Sequence, residues 1–116
     1  MQPPRAPRPF GYERMAMLPI DQVVDALGVP HLSRAALWRL AAVGIDAAPA
    51  VKRGLRSENP GVRRACCEFL DLYWDDEAAA EMLSLLTDPD AEVRWMAAHA
   101  LTCERCKKDT WAKRIS

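Results

Sequence analysis

Residues 55 to 70 read LRSENPGVRRACCEFL, and residues 86 to 101 read LTDPDAEVRWMAAHAL. Started at Leu55 and Leu86, a shift of 31 residues, the two stretches superimpose without a gap. Val62-Arg63 falls on Val93-Arg94, Leu70 on Leu101, and Cys66-Cys67 on Ala97-Ala98. The shift also carries Ala47-Ala48 onto Ala78-Ala79 and Val51 onto Met82, so small residues recur where helices must approach closely. Self-similarity at this period is the mark of a chain built from stacked helix pairs, each too small to bury its apolar face alone. One further step towards the N-terminus weakens the match: Val24 meets Leu55, but His31 meets Val62. The first repeat is therefore degenerate, as terminal repeats often are.

Working outward, the start and stop signals divide the chain into helices. Pro19 suits a first turn, Ile20, Val23, Val24 and Leu27 form an apolar stripe at helical spacing, and Gly28 with Pro30 ends it. Ser33 opens a helix whose Ala36, Leu37 and Leu40 face inward until Gly44, and Asp46 opens another to about Arg56. Asn59-Pro60 begins a helix to about Trp74, Asp75 or Asp76 one to about Leu86, and Asp88-Pro89 the last clear one. Six helices are expected, with room for a seventh. Residues 1 to 14 are rich in proline and lack periodicity, so they read as a disordered lead, and residues 15 to 116 as the repeat domain.

The run Asp88-Pro89-Asp90-Ala91-Glu92-Val93-Arg94, followed by Ala97-Ala98 and Ala100-Leu101, resembles HEAT repeats of the subtype also found in phycobilisome lyases. The copy from Val62-Arg63 to Leu70 is a looser match, and the likeness spans about residues 33 to 103. It implies an all-α fold, a right-handed α-α superhelix of about three two-helix repeats, acting as a protein-binding scaffold. Val and Leu at these positions belong to the core, and an arginine fork here can bond loop carbonyls or Asp, so Arg63 and Arg94 are expected to be structural.

The composition agrees with helices: half the residues are hydrophobic, only 7% are aromatic, and there are 5 glycines. Apolar stretches are broken by charge well before the roughly 20 residues of a bilayer span, and Met1 to Pro9 has no apolar signal core. The 4 cysteines do not form a secreted disulfide framework, which points to a reducing cytoplasm. Net charge is zero but segregated: residues 31 to 64 carry +5, and residues 65 to 104 carry −9. Such blocks are either solvated helix faces or fields that steer a polar partner.

Chemistry is concentrated in one place, His99-x3-Cys103-x2-Cys106, whose spacing puts an imidazole and two thiols on one helix face. A zinc ion held by His99, Cys103 and Cys106 would lack a fourth ligand, for which Cys66, Cys67, Glu104 and Asp109 are candidates. Related repeat folds include enzymes, but the residues here do not carry their chemistry. Deoxyhypusine hydroxylases take iron on His-Glu pairs, whereas His31 precedes Leu32 and His99 precedes Ala100. A bilin lyase needs a wider pocket than so short a stack promises. No phosphate loop, nucleophile elbow or paired carboxylate site is present, so no enzymatic activity is expected. Arg34, Arg39, Lys52, Arg53, Arg56 and Arg64 with Trp38 would suit a nucleic-acid face of the kind helical-repeat DNA glycosylases use, opposed by the acidic block that follows. Trp38, Trp74 and Trp95 are each expected to pack into the core. Because Asp109 to Ser116 falls on Ala78 to Leu85, the third repeat is expected to stop before completing its second helix, which suggests a truncated product or an apolar end for self-association or a partner.

Overall fold

Proline, asparagine and aspartate determine where the helices begin. The computed structural model describes residues 8 to 102, and all its elements are helical: α1 (Tyr12–Ala16), α2 (Ile20–Ala26), α3 (Ser33–Val43), α4 (Ala48–Gly54), α5 (Pro60–Leu72), α6 (Ala79–Ser84) and α7 (Ala91–Thr102). Asn59 sits in extended backbone before α5, where its side chain accepts from the Gly61 N–H and Pro60 takes the first helical position. Asp90 plays the same part for α7, accepting from the N–H groups of Glu92 and Val93. The expected opening at Asp88-Pro89 is thus displaced by two residues, and Asp88 is released for other work. Asp46 makes no capping bond; Gly44, at φ 75, instead turns the chain into a 3-10 segment, Gly44–Ala47, that runs straight into α4. Similar 3-10 turns, Asp76–Ala78 and Leu85–Thr87, flank α6.

Helices pack in sequential pairs, α2 on α3, α4 on α5 and α6 on α7, and the pairs stack through α2 on α4, α3 on α5 and α5 on α7. The periodic apolar positions form one continuous core, with Val24, Leu27, Leu40, Val51, Leu55, Val62, Leu70, Met82 and Val93 all buried. Each such side chain contributes roughly 1.5–3 kcal/mol of transfer free energy. The 31-residue correspondence ends where neighbours end: Leu55 is 2% exposed between two pairs, whereas its counterpart Leu86 is 38% exposed on the last described one.

α1 begins at Tyr12, inside the stretch of residues 1 to 14, and lies on α3 with Met15 fully buried and Tyr12 against the core. A single helical turn has too few residues to show a readable period in the sequence. Residues 1 to 7 lie outside the described part.

Candidate interaction face

The opposite charge blocks interlock between pairs. On α4, Lys52 Nζ lies 3.0 Å from both Asp75 and Glu77, and Arg53 reaches back 2.7 Å to Asp21 on α2; just past α4, Arg56 lies 2.7 Å from Glu81. The hydrogen bonds that the Lys52 ammonium donates to Glu77 and Asp75 hold it above its ordinary pKa. Deeper in the stack, Arg63 forks onto Asp88 at 2.8 and 3.0 Å, and its remaining nitrogen donates to the carbonyls of Ser57 and Glu58. Arg94 repeats the second half of this, donating to the carbonyls of Asp88 and Pro89. Both arginines therefore hold the loop that precedes their own helix, as the sequence suggested. Burial pushes the Asp88 carboxyl up, but the Arg63 bond, the Asp90 N–H and the charges of Arg63 and Arg94 outweigh it and keep the group below its ordinary value.

This pairing dissolves the continuous basic face. Lys52, Arg53, Arg56 and Arg64 all face carboxylates, while Arg34, Arg39 and Trp38 stand on α3. Cations so divided, most of them neutralised, do not make the unbroken phosphate track that non-specific nucleic-acid binding uses.

What stays open is the ridge where α5 and α7 run side by side. At Arg64, Glu68 and Asp71, α5 presents positions i, i+4 and i+7; α7 answers with Glu92, Trp95 and His99 at i, i+3 and i+7. Arg64 lies 3.7 Å from Glu68 and 3.6 Å from Glu92. His99 Nε2 lies 3.2 Å from Asp71 Oδ2, and the indole of Trp95 is stacked on the imidazole at 5.4 Å and 7°. Asp71 is 5% exposed, and its other oxygen, Oδ1, is buried without a hydrogen-bond partner. Beside Trp95 a groove of about 410 Å³ is lined by Arg64, Ala91, Glu92 and Met96. A second, more apolar groove of about 470 Å³ lies between α3 and α5, lined by Tyr12, Leu37, Trp38, Ala41, Ala42 and Leu72.

The tryptophans separate accordingly. Trp74 is buried and donates to Asp76 Oδ1 at 2.6 Å, as a core residue should. Trp95 is 66% exposed and Trp38 37%, so neither is the core residue expected. The reason for Trp95 is its register: Val93, Met96, Ala97 and Ala100 already fill the inward stripe of α7. A signal was present in the repeat itself, since Trp95 and His99 occupy the places of Arg64 and Glu68, exchanging an i,i+4 ion pair for an aromatic stack. Asp71 carries no signal of its own in the sequence, because a lone acid between Leu70 and Leu72 reads as a helix surface.

Of the proposed metal ligands, His99 stands in the last turn of α7, while Cys103, Cys106, Glu104 and Asp109 lie outside the described residues. Cys66 and Cys67 are fully buried free thiols. Burial raises both, that of Cys67 to about 12, with Asp88 adding to the rise and Arg63 opposing it. Their surroundings are Gly54 for the one and the Arg63–Asp88 pair for the other, whereas His99 is engaged by Asp71. Among the described residues no cluster of three His, Cys, Asp or Glu side chains is arranged to hold a metal ion.

Stacked helix pairs joined by arginine-held loops, with a side-chain ridge along one layer, define an α-helical repeat protein. The family model for HEAT repeats matches residues 20–102, from the first residue of α2 to the last of α7, and the chain belongs to the HEAT-repeat family. No curated protein and no solved structure matches it. No helix among the described residues is long and apolar enough to cross a membrane.

Proposed function

We propose that the chain is a non-catalytic HEAT-repeat scaffold that holds a protein partner on the α5–α7 ridge. One observation carries this reading: a two-thirds-exposed tryptophan, pre-oriented by an imidazole stack, on a surface where the neighbouring repeat carries only an ion pair. A fixed, amphipathic aromatic beside a groove is the usual anchor of a protein interface, because it brings large contact area with little rotamer entropy to lose. Three pairs winding as a right-handed superhelix, of the repeat subtype found in phycobilisome lyases, would place this ridge on the same layer as Trp38. The buried free thiols suit a cytoplasmic setting.

A zinc module through His99, Cys103 and Cys106 is the second reading, favoured by one contact. With Nε2 turned to the buried Asp71 carboxylate at 3.2 Å, His99 leaves Nδ1 for coordination, the arrangement that commonly supports metal-bound histidines.

The test is direct. Partners recovered with the untagged full chain would be purified and titrated by calorimetry against wild type, Trp95→Ala and Trp38→Ala, with zinc content measured on each preparation. Trp95→Ala is expected to weaken binding by at least tenfold at an unchanged melting temperature. Equal affinity for wild type and Trp95→Ala would remove the ridge from the interface. Stoichiometric zinc, lost together with partner binding on chelation, would move the assignment to the second reading.

A further inference from the structure

We infer that the α5–α7 ridge selects its partner by an arginine or lysine side chain laid against Trp95. The inference rests on the reading of the ridge as a protein-binding face, and adds the chemistry of what is bound.

The indole has two faces in different surroundings. One is covered by His99, one turn later on α7, at 5.4 Å and nearly parallel. The groove of about 410 Å³ is lined by Trp95 together with Ala91 and Glu92, one turn earlier. His99 is in turn held by Asp71, a carboxylate on the neighbouring helix, so the indole plane is set before any partner arrives.

Charge decides what fits. Glu68, Asp71 and Glu92 stand along this ridge, and among the described residues Arg64 is their one permanent counter-charge, since His99 is charged only when protonated. Arg64 is stretched between Glu68 and Glu92 at 3.7 and 3.6 Å, beyond hydrogen-bonding distance of either. A second cation can take Glu92, whose side chain is 80% exposed, while Arg64 keeps Glu68. The Oδ1 of Asp71, which has no hydrogen-bond partner, adds negative potential beneath the stack. A guanidinium or ammonium on the open indole face therefore gains both the ring quadrupole and a carboxylate. A partner carboxylate at the same place would meet three acids, with Arg64 the one permanent cation among the described residues paired to them.

The test uses four fluorescein-labelled nonapeptides, identical except for a central Arg, Lys, Gln or Glu, titrated by anisotropy against the full-length protein up to millimolar concentration. The Arg peptide is expected to bind about tenfold more tightly than the Gln peptide, the Glu peptide most weakly, and the preference to shrink between 50 and 300 mM salt. Glu92→Gln should reduce the Arg-over-Gln ratio, Trp95→Phe retain part of it and Trp95→Ala erase it, all three with wild-type amide spectra by NMR. Binding that is lost in Trp95→Ala yet shows no preference for a central cation overturns this inference and leaves the interface standing. Peptide binding indifferent to Trp95 overturns both. No binding of the Arg or Lys peptide to wild type at millimolar concentration overturns the inference alone, the interface then being decided by the purified partner.

Discussion

Arg63 donates to two backbone carbonyls of its own loop and forks onto Asp88 of the next one, so a single side chain ties two successive helix pairs together. The pair is nearly buried, with side-chain exposures of 14% and 5%, and in that setting loss of one partner strands the other. Asp88→Ala is expected to cost about 3 kcal/mol in urea denaturation at pH 7. The sign of its pH dependence follows from the depressed carboxyl. Asp88 contributes its full stabilisation above the ordinary value of 3.8 and loses it as pH falls through the lower, folded-state value. The advantage of wild type over Asp88→Asn should therefore hold at neutral pH and shrink only below about pH 3.8; an advantage constant down to pH 2 would deny the pair its role.

At the scale of elements, two glycines of α4 and its entry serve different ends. Gly54 lies where α4 meets α5 and α2, and a Cβ there would run into the sulfur of Cys66 and come within 2.7 Å of Val24. Gly44 has open space around its α-carbon but holds φ 75, which side-chain-bearing residues seldom adopt. Gly54→Ala is thus a packing fault worth roughly 1–3 kcal/mol, whereas Gly44→Ala is a backbone fault of about 1 kcal/mol. Thermal denaturation of both variants should rank them in that order. Relief of the Gly54→Ala defect by a companion Cys66→Ala change would identify the sulfur as the obstacle.

For the whole molecule, stability in a repeat stack is shared between neighbours rather than gathered at a centre, and α5 has the most neighbours, packing on α2, α3, α4 and α7. α1 rests on α3 by a single turn around Met15. Native-state hydrogen exchange should therefore find the slowest amides in α5, opening only with global unfolding, and the fastest helical ones in α1. If α1 exchanged as slowly as α5, the fold would be one cooperative unit instead of a stack with a loosely attached end. The ion pairs that run from α4 and its C-terminal turn to α2, to α6 and to the 3-10 turn before it are mostly exposed, so they set register between pairs more than they add stability.

The helical class, the two-helix repeat and the buried positions followed from the sequence alone, because a 31-residue period and a 3.6-residue stripe are both local patterns that a reader can count. The loop-holding role of Arg63 and Arg94 was legible for the same reason, being repeated at the same shift. Other features depend on which residues meet across helices. Only packing showed that the basic and acidic blocks cancel in pairs, that Asp88 serves Arg63 rather than capping α7, and that a lone acid, Asp71, lies under His99. Trp95 is the sharpest case: its composition argued for the core, but the apolar stripe of α7 was already filled, and rotation of the helix to bury that stripe turned the indole outward.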